Sequence, residues 1–102
     1  MTTSTFCRLR DEYALENYYT QLPQLHHQRV QLRRKIIAVQ RALAYERERR
    51  NRLKEKARNR TEINHLEDRQ RELYGLLAPV ASAIANIEQD IPIRRARLGA
   101  LN

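Results

Sequence analysis

Seven residues between Arg34 and Arg60 recur at helical spacing: Arg34, Arg41, Tyr45, Arg49, Arg52, Lys56 and Arg60. Steps of seven, four, four, three, four and four carry them along one side of a helix. Arginine presents a planar fork of donors that matches phosphate and carboxylate oxygens. Such a row suits an anionic polymer gripped through its phosphates, with Tyr45 as a stacking contact. No other constellation in the chain points as directly to chemistry.

The remaining reactive side chains are scattered. His26 and His27 are adjacent and so point about 100° apart on a helix, and His65 stands alone. None has a partner at metal-binding spacing, and the single cysteine, Cys7, has no second thiol. Arg8 and Arg10 beside Cys7 would favour a thiolate, yet no histidine base is placed near it by sequence. With two glycines the chain cannot build a phosphate-cradling loop, and no nucleophile elbow or dinucleotide fingerprint occurs. The expectation is a non-enzymatic protein without metal or cofactor.

Charge narrows the partner class. The net charge is +8, and seventeen of the twenty basic residues are arginine. Residues 1–21 sum to −1, 22–40 to +4, 41–60 to +6, 61–91 to −4 and 92–102 to +3. Glu62, Glu67, Asp68 and Glu72 can neutralise flanking residues such as Arg47 and Arg58, and pairs such as Glu48–Arg52 absorb more. An excess of basic residues remains between 41 and 60. Nucleic acid, with duplex preferred, is the expected partner, and an acidic protein surface is the alternative. One cysteine fits a reducing compartment. The N-terminus lacks the apolar run of a secretory signal, and no stretch is apolar enough to span a bilayer. A cytoplasmic location is expected, or a nuclear one in a nucleated host.

The elements that must carry these residues are all helical. The chain holds few Gly and Pro, much Leu, Ala, Glu and Arg, and no strand-like alternation. One domain spans 1–102. Residues 5–20 form a short first helix, with Phe6, Leu9 and Tyr13 on one stripe and Leu15, Tyr18, Tyr19 and Leu22 on another. Pro23 stops it. The first arm, about 24–58, carries Leu22, Leu25, Leu32, Ile36, Val39, Leu43, Leu53 and Ala57 in steps that sum to heptads. A turn at 58–62 follows, where Asn59 and Glu62 have capping-box spacing. The second arm, about 62–91, carries Ile63, Leu66, Leu73, Leu77, Val80, Ile84, Ile87 and Ile91, with a kink near Gly75 to Pro79. Pro92 opens a basic tail over 92–102.

The two stripes mirror each other about residue 60. Val39 then faces Val80, Leu43 faces Leu77 and Ile36 faces Ile84, with position numbers adding to 119 or 120. This describes an antiparallel, coiled-coil-like hairpin about 50 Å long. A second apolar line on the first arm, Val30, Ile37 and Ala44, calls for another neighbour, and a homodimeric helical bundle is expected. Across residues 22–91 this architecture is similar to the antiparallel arms of seryl-tRNA synthetases and to the small coiled-coil proteins of flagellar and type III export ATPases. In size and charge the chain resembles small dimeric helical viral suppressors that bind double-stranded RNA. These likenesses rest on architecture, with no shared motif.

Overall fold

A computed structural model describes the backbone of residues 3–52 and 56–101, and their side chains except at 4, 56–58 and 101. Two long helices make up the described chain: α1 over Thr3–Arg50 and α2 over Lys56–Leu101. They pack against each other as a two-helix hairpin, and no strand occurs among the described residues. The last turn of α1 carries Arg47, Arg49 and Arg50, cations placed against the negative end of the helix dipole. The Asn51 amide donates to the Glu48 carbonyl at 3.2 Å and the Arg52 amide to the Arg49 carbonyl at 3.0 Å. These tighter bonds satisfy carbonyls that the helix end would otherwise leave open.

Both helices keep one unbroken heptad stripe. On α1 it runs Asp11, Leu15, Tyr18, Leu22, Leu25, Arg29, Leu32, Ile36, Val39, Leu43, Glu46 and Arg50, each buried or half-buried. On α2 it runs Asn59, Ile63, Leu66, Gln70, Leu73, Leu77, Val80, Ile84, Ile87, Ile91, Arg94 and Leu98. Steps alternate between four and three throughout, the spacing that keeps one face toward a partner helix. The expected second stripe is therefore in place. Leu53 and Ala57 of the expected first stripe have side chains outside those described.

The chain divides into two compact units, residues 1–28 with 80–102 (unit 1) and residues 29–79 (unit 2). In unit 1 the apolar core holds Leu15, Ile84 and Ile87; in unit 2 it holds Ile36, Leu43, Ile63 and Leu73. Within each unit the helix segments run antiparallel. Asp11 meets Arg94 and Tyr18 meets Asp90 in unit 1, while Gln40 meets Tyr74 and Glu46 meets Asn59 in unit 2.

Three expectations need correction. The separate N-terminal helix over 5–20 does not exist, because α1 continues through Pro23. Likewise α2 continues through Gly75, Pro79 and Pro92, so the helix is not broken at 75–79, and residues 92–101 of the expected tail are helical. The turn is not at 58–62, which is helical; the chain leaves α1 at Arg50 instead. Each proline removes one donor and crowds the carbonyl four residues back, here Tyr19, Gly75 and Glu88. All three prolines are exposed, so water can satisfy those carbonyls, and seam packing on the opposite side holds the helix.

That account makes Pro23 a removable defect. Pro23→Ala should restore a helical hydrogen bond and stabilise the protein by about 1–3 kcal/mol. Urea unfolding followed by circular dichroism should show a higher midpoint. A lower midpoint would mean that the chain needs a break at this point.

Candidate nucleic-acid interface

Unit 2 contains fifteen basic and seven acidic residues, a balance of +8, whereas unit 1 has five of each. The whole net charge of the protein belongs to one unit. Four arginines and Tyr45 of the expected row lie there on the end of α1 and its following turn. Arg34, Arg41, Arg49 and Arg52 are all exposed, and Tyr45 is 61% exposed. On the wheel of α1, Arg34, Arg41, Tyr45 and Arg49 sit opposite the buried stripe of Ile36, Val39 and Leu43, and Arg52 follows in the turn. The other two residues fare differently. Arg60 is exposed but belongs to α2, so the row does not run straight from Arg34 to Arg60 on one helix. The side chain of Lys56 lies outside the described residues.

Local carboxylates touch only part of this row. Arg49 meets Glu46 at 3.6 Å and Arg52 meets Glu48 at 3.5 Å. Arg47, beside the row, meets Glu67 at 3.3 Å. Exposed pairs of this kind are worth roughly 0–1 kcal/mol and are easily exchanged for a phosphate. Arg34, Arg41 and Arg60 make no ion pair with another described residue. Beside them stand Val30 at 43% and Ile37 at 46% exposure, so the face mixes cations with apolar side chains.

Unit 1 carries a polar cluster that sequence reasoning missed. Asp11, fully buried, accepts from Arg94 Nη1 at 2.8 Å and lies 3.6 Å from Arg97 Nη1. Arg94 also donates through Nε to Asp90 Oδ2 at 2.6 Å, and the Tyr18 hydroxyl donates to the same oxygen at 2.5 Å. Arg94 stacks over the Tyr18 ring at 5.9 Å, and Arg95 over Tyr19 at 5.5 Å, with Arg95 donating to the Tyr19 hydroxyl. The signal was present in the spacing: Arg94 is three residues after Ile91 and in phase with it, although its type suggested a tail. Of the remaining candidates, His26 lies 3.6 Å from Glu88, and Cys7 is half-buried. No group of residues suited to a metal ion occurs among the described residues.

The cluster shifts its own titrations. The Tyr18 hydroxyl and then the Arg94 guanidinium hold the Asp90 carboxyl below its ordinary value of 3.8. The same hydrogen bond to Asp90, with some burial, raises the Tyr18 phenol. A carboxyl with a lowered folded pKa contributes stability above its unfolded pKa and loses it as pH falls through the folded value. Asp90→Asn should therefore lower the thermal midpoint at neutral pH, and the gap from the wild type should close below about pH 4. Melting curves from pH 7 to pH 2 test this. A constant gap across the range would show that the Asp90 charge contributes nothing.

No protein-family model, no curated protein and no solved structure matches this chain.

Proposed function

We propose that this chain is a non-enzymatic basic helical protein that binds duplex nucleic acid, RNA or DNA, through its backbone phosphates. The reading includes a homodimer and a cytoplasmic or nuclear location. Its principal support is the charge division: a balance of +8 in unit 2 and of zero in unit 1. A duplex offers phosphates at regular intervals, and the face of α1 bearing Arg34, Arg41 and Arg49, with Arg52 just past its end, offers a row of forks. One exposed tyrosine in that row, against several arginines, favours backbone and shape over base readout. No described helix is long and apolar enough to cross a membrane.

A second reading has its own observation. Val30 and Ile37 lie exposed beside Arg34 and Arg41, a mixture that would also suit an acidic amphipathic helix of a partner protein. The protein would then act as an adaptor or inhibitor, and its partner would survive nuclease treatment.

Titration with labelled duplex and single-stranded RNA and DNA at several salt concentrations separates the two. For four to six phosphate contacts, log K against log salt should fall with a slope of about −4 to −5. Arg34→Glu with Arg41→Glu should weaken duplex binding at least about tenfold and make the slope shallower by about 2, with helicity unchanged. Dissociation constants weaker than about 10⁻⁴ M for every nucleic acid at physiological salt would overturn the proposal. The adaptor reading would then stand.

A further inference from the structure

Resting on the duplex reading above, we propose that the nucleic acid is B-form DNA, and that α1 enters its major groove along the line of Val30, Ile37 and Ala44. These residues recur every seven positions of α1 and are all exposed, Val30 at 43% and Ile37 at 46%. At 1.5 Å per residue the line is about 21 Å long, and it lies wholly within unit 2. Arg33 and Arg47 flank it on one side, Arg34 and Arg41 on the other, each about 50° around the helix. All four arginines are exposed. The buried stripe lies about 100° or more away from the line, so α2 leaves this side of α1 open.

Charge selects an acidic occupant for this face. A second copy laid on the same line would bring its own arginines against these, and like charges at close range oppose pairing. A DNA groove offers the complement. Phosphates run along both of its walls, within reach of arginines on both flanks, and the floor between them presents thymine methyl groups to apolar side chains. Val30 and Ile37, which gain nothing from a phosphate, then have a partner.

Shape selects the B form. An α-helix with its side chains is about 10–12 Å across, and the major groove of B-DNA is about 12 Å wide and 8.5 Å deep. The major groove of an RNA duplex is too narrow to admit a helix. Its minor groove is shallow and displays 2′-hydroxyls, polar groups that suit no aliphatic side chain. The apolar line is also shorter than one turn of duplex, about 34 Å, so a straight helix can follow the groove along it. Phosphates supply most of the affinity; groove width and the apolar line supply the preference for DNA over RNA.

One sequence made as duplex DNA and as duplex RNA, titrated at physiological salt, tests this directly. The DNA should bind at least about tenfold tighter. Replacing its cytosines with glucosylated hydroxymethylcytosine fills the major groove without altering a phosphate, and should weaken binding about tenfold or more. Netropsin, which fills the minor groove, should not compete. Val30→Ala with Ile37→Ala should weaken DNA binding about fivefold or more, with the salt slope and helicity unchanged. RNA bound as tightly as DNA, indifference to the glucosyl groups, displacement by netropsin or an unaltered alanine variant would each overturn the inference and leave phosphate binding standing. Should the alanine variant lose helicity, the wild-type titrations decide alone. Binding to neither duplex would refute the nucleic-acid proposal, and this inference with it.

Discussion

The structure depends on a few polar groups that sit inside an otherwise apolar seam and each accept very few partners. Asp11 is wholly buried and held by Arg94, and Asn59, at 3% exposure, donates to the carbonyl and carboxylate of Glu46 at 3.2 and 2.6 Å. Apolar layers repeating every three and four residues can slide past one another by a half-heptad with little loss, because leucine packs on isoleucine in either register. A buried carboxylate cannot slide so freely. Moved away from Arg94, Asp11 would be an uncompensated charge, a loss of about 3–5 kcal/mol. The polar positions therefore select one alignment from several that the apolar pattern allows.

The same economy divides the molecule. In unit 1 the opposite charges are spent on each other, through Asp11, Asp90, Arg94 and Arg97 and through Arg8 with Glu12. In unit 2 the apolar core contains Ile36, Leu43, Ile63 and Leu73, and arginines face outward in excess of the available carboxylates. A unit that holds itself together through apolar layers can leave cations unmatched on its outer side. The proposed binding face rests on that surplus.

Helical class, antiparallel pairing and the second stripe were legible in the sequence, since periodicity reports which residues face a partner. The fold-back point was not. Mirrored apolar positions add to 119 or 120 about residue 60, yet the observed polar partners add to 105 for Glu46 with Asn59 and 114 for Gln40 with Tyr74. The heptad pattern repeats, so a shifted alignment again sets apolar residues against apolar ones and hides the error. Asn59 compounded it, because its distance from Glu62 resembles a helix cap while its side chain serves the seam. Pro23 misled for a different reason: proline opposes a helix locally, but Leu15, Tyr18, Leu22 and Leu25 keep phase across it. Phase was the stronger evidence. Arg34, Arg41, Tyr45 and Arg49 share α1, whereas Arg52 lies in the turn beyond it and Arg60 on α2.

Register is the claim from which the rest follows, and paired cysteines in a Cys7→Ser background measure it within unit 2. Ile36 and Leu73, at 5% and 1% exposure, add to 109, between the sums of the two observed polar pairs. Fold-back about residue 60 would instead bring Leu43 to Leu77. Under mild oxidation Ile36→Cys with Leu73→Cys should close to an intramolecular disulfide in a protein that remains helical, and Leu43→Cys with Leu77→Cys should remain reduced. Ready closure of the second pair with failure of the first would contradict the account.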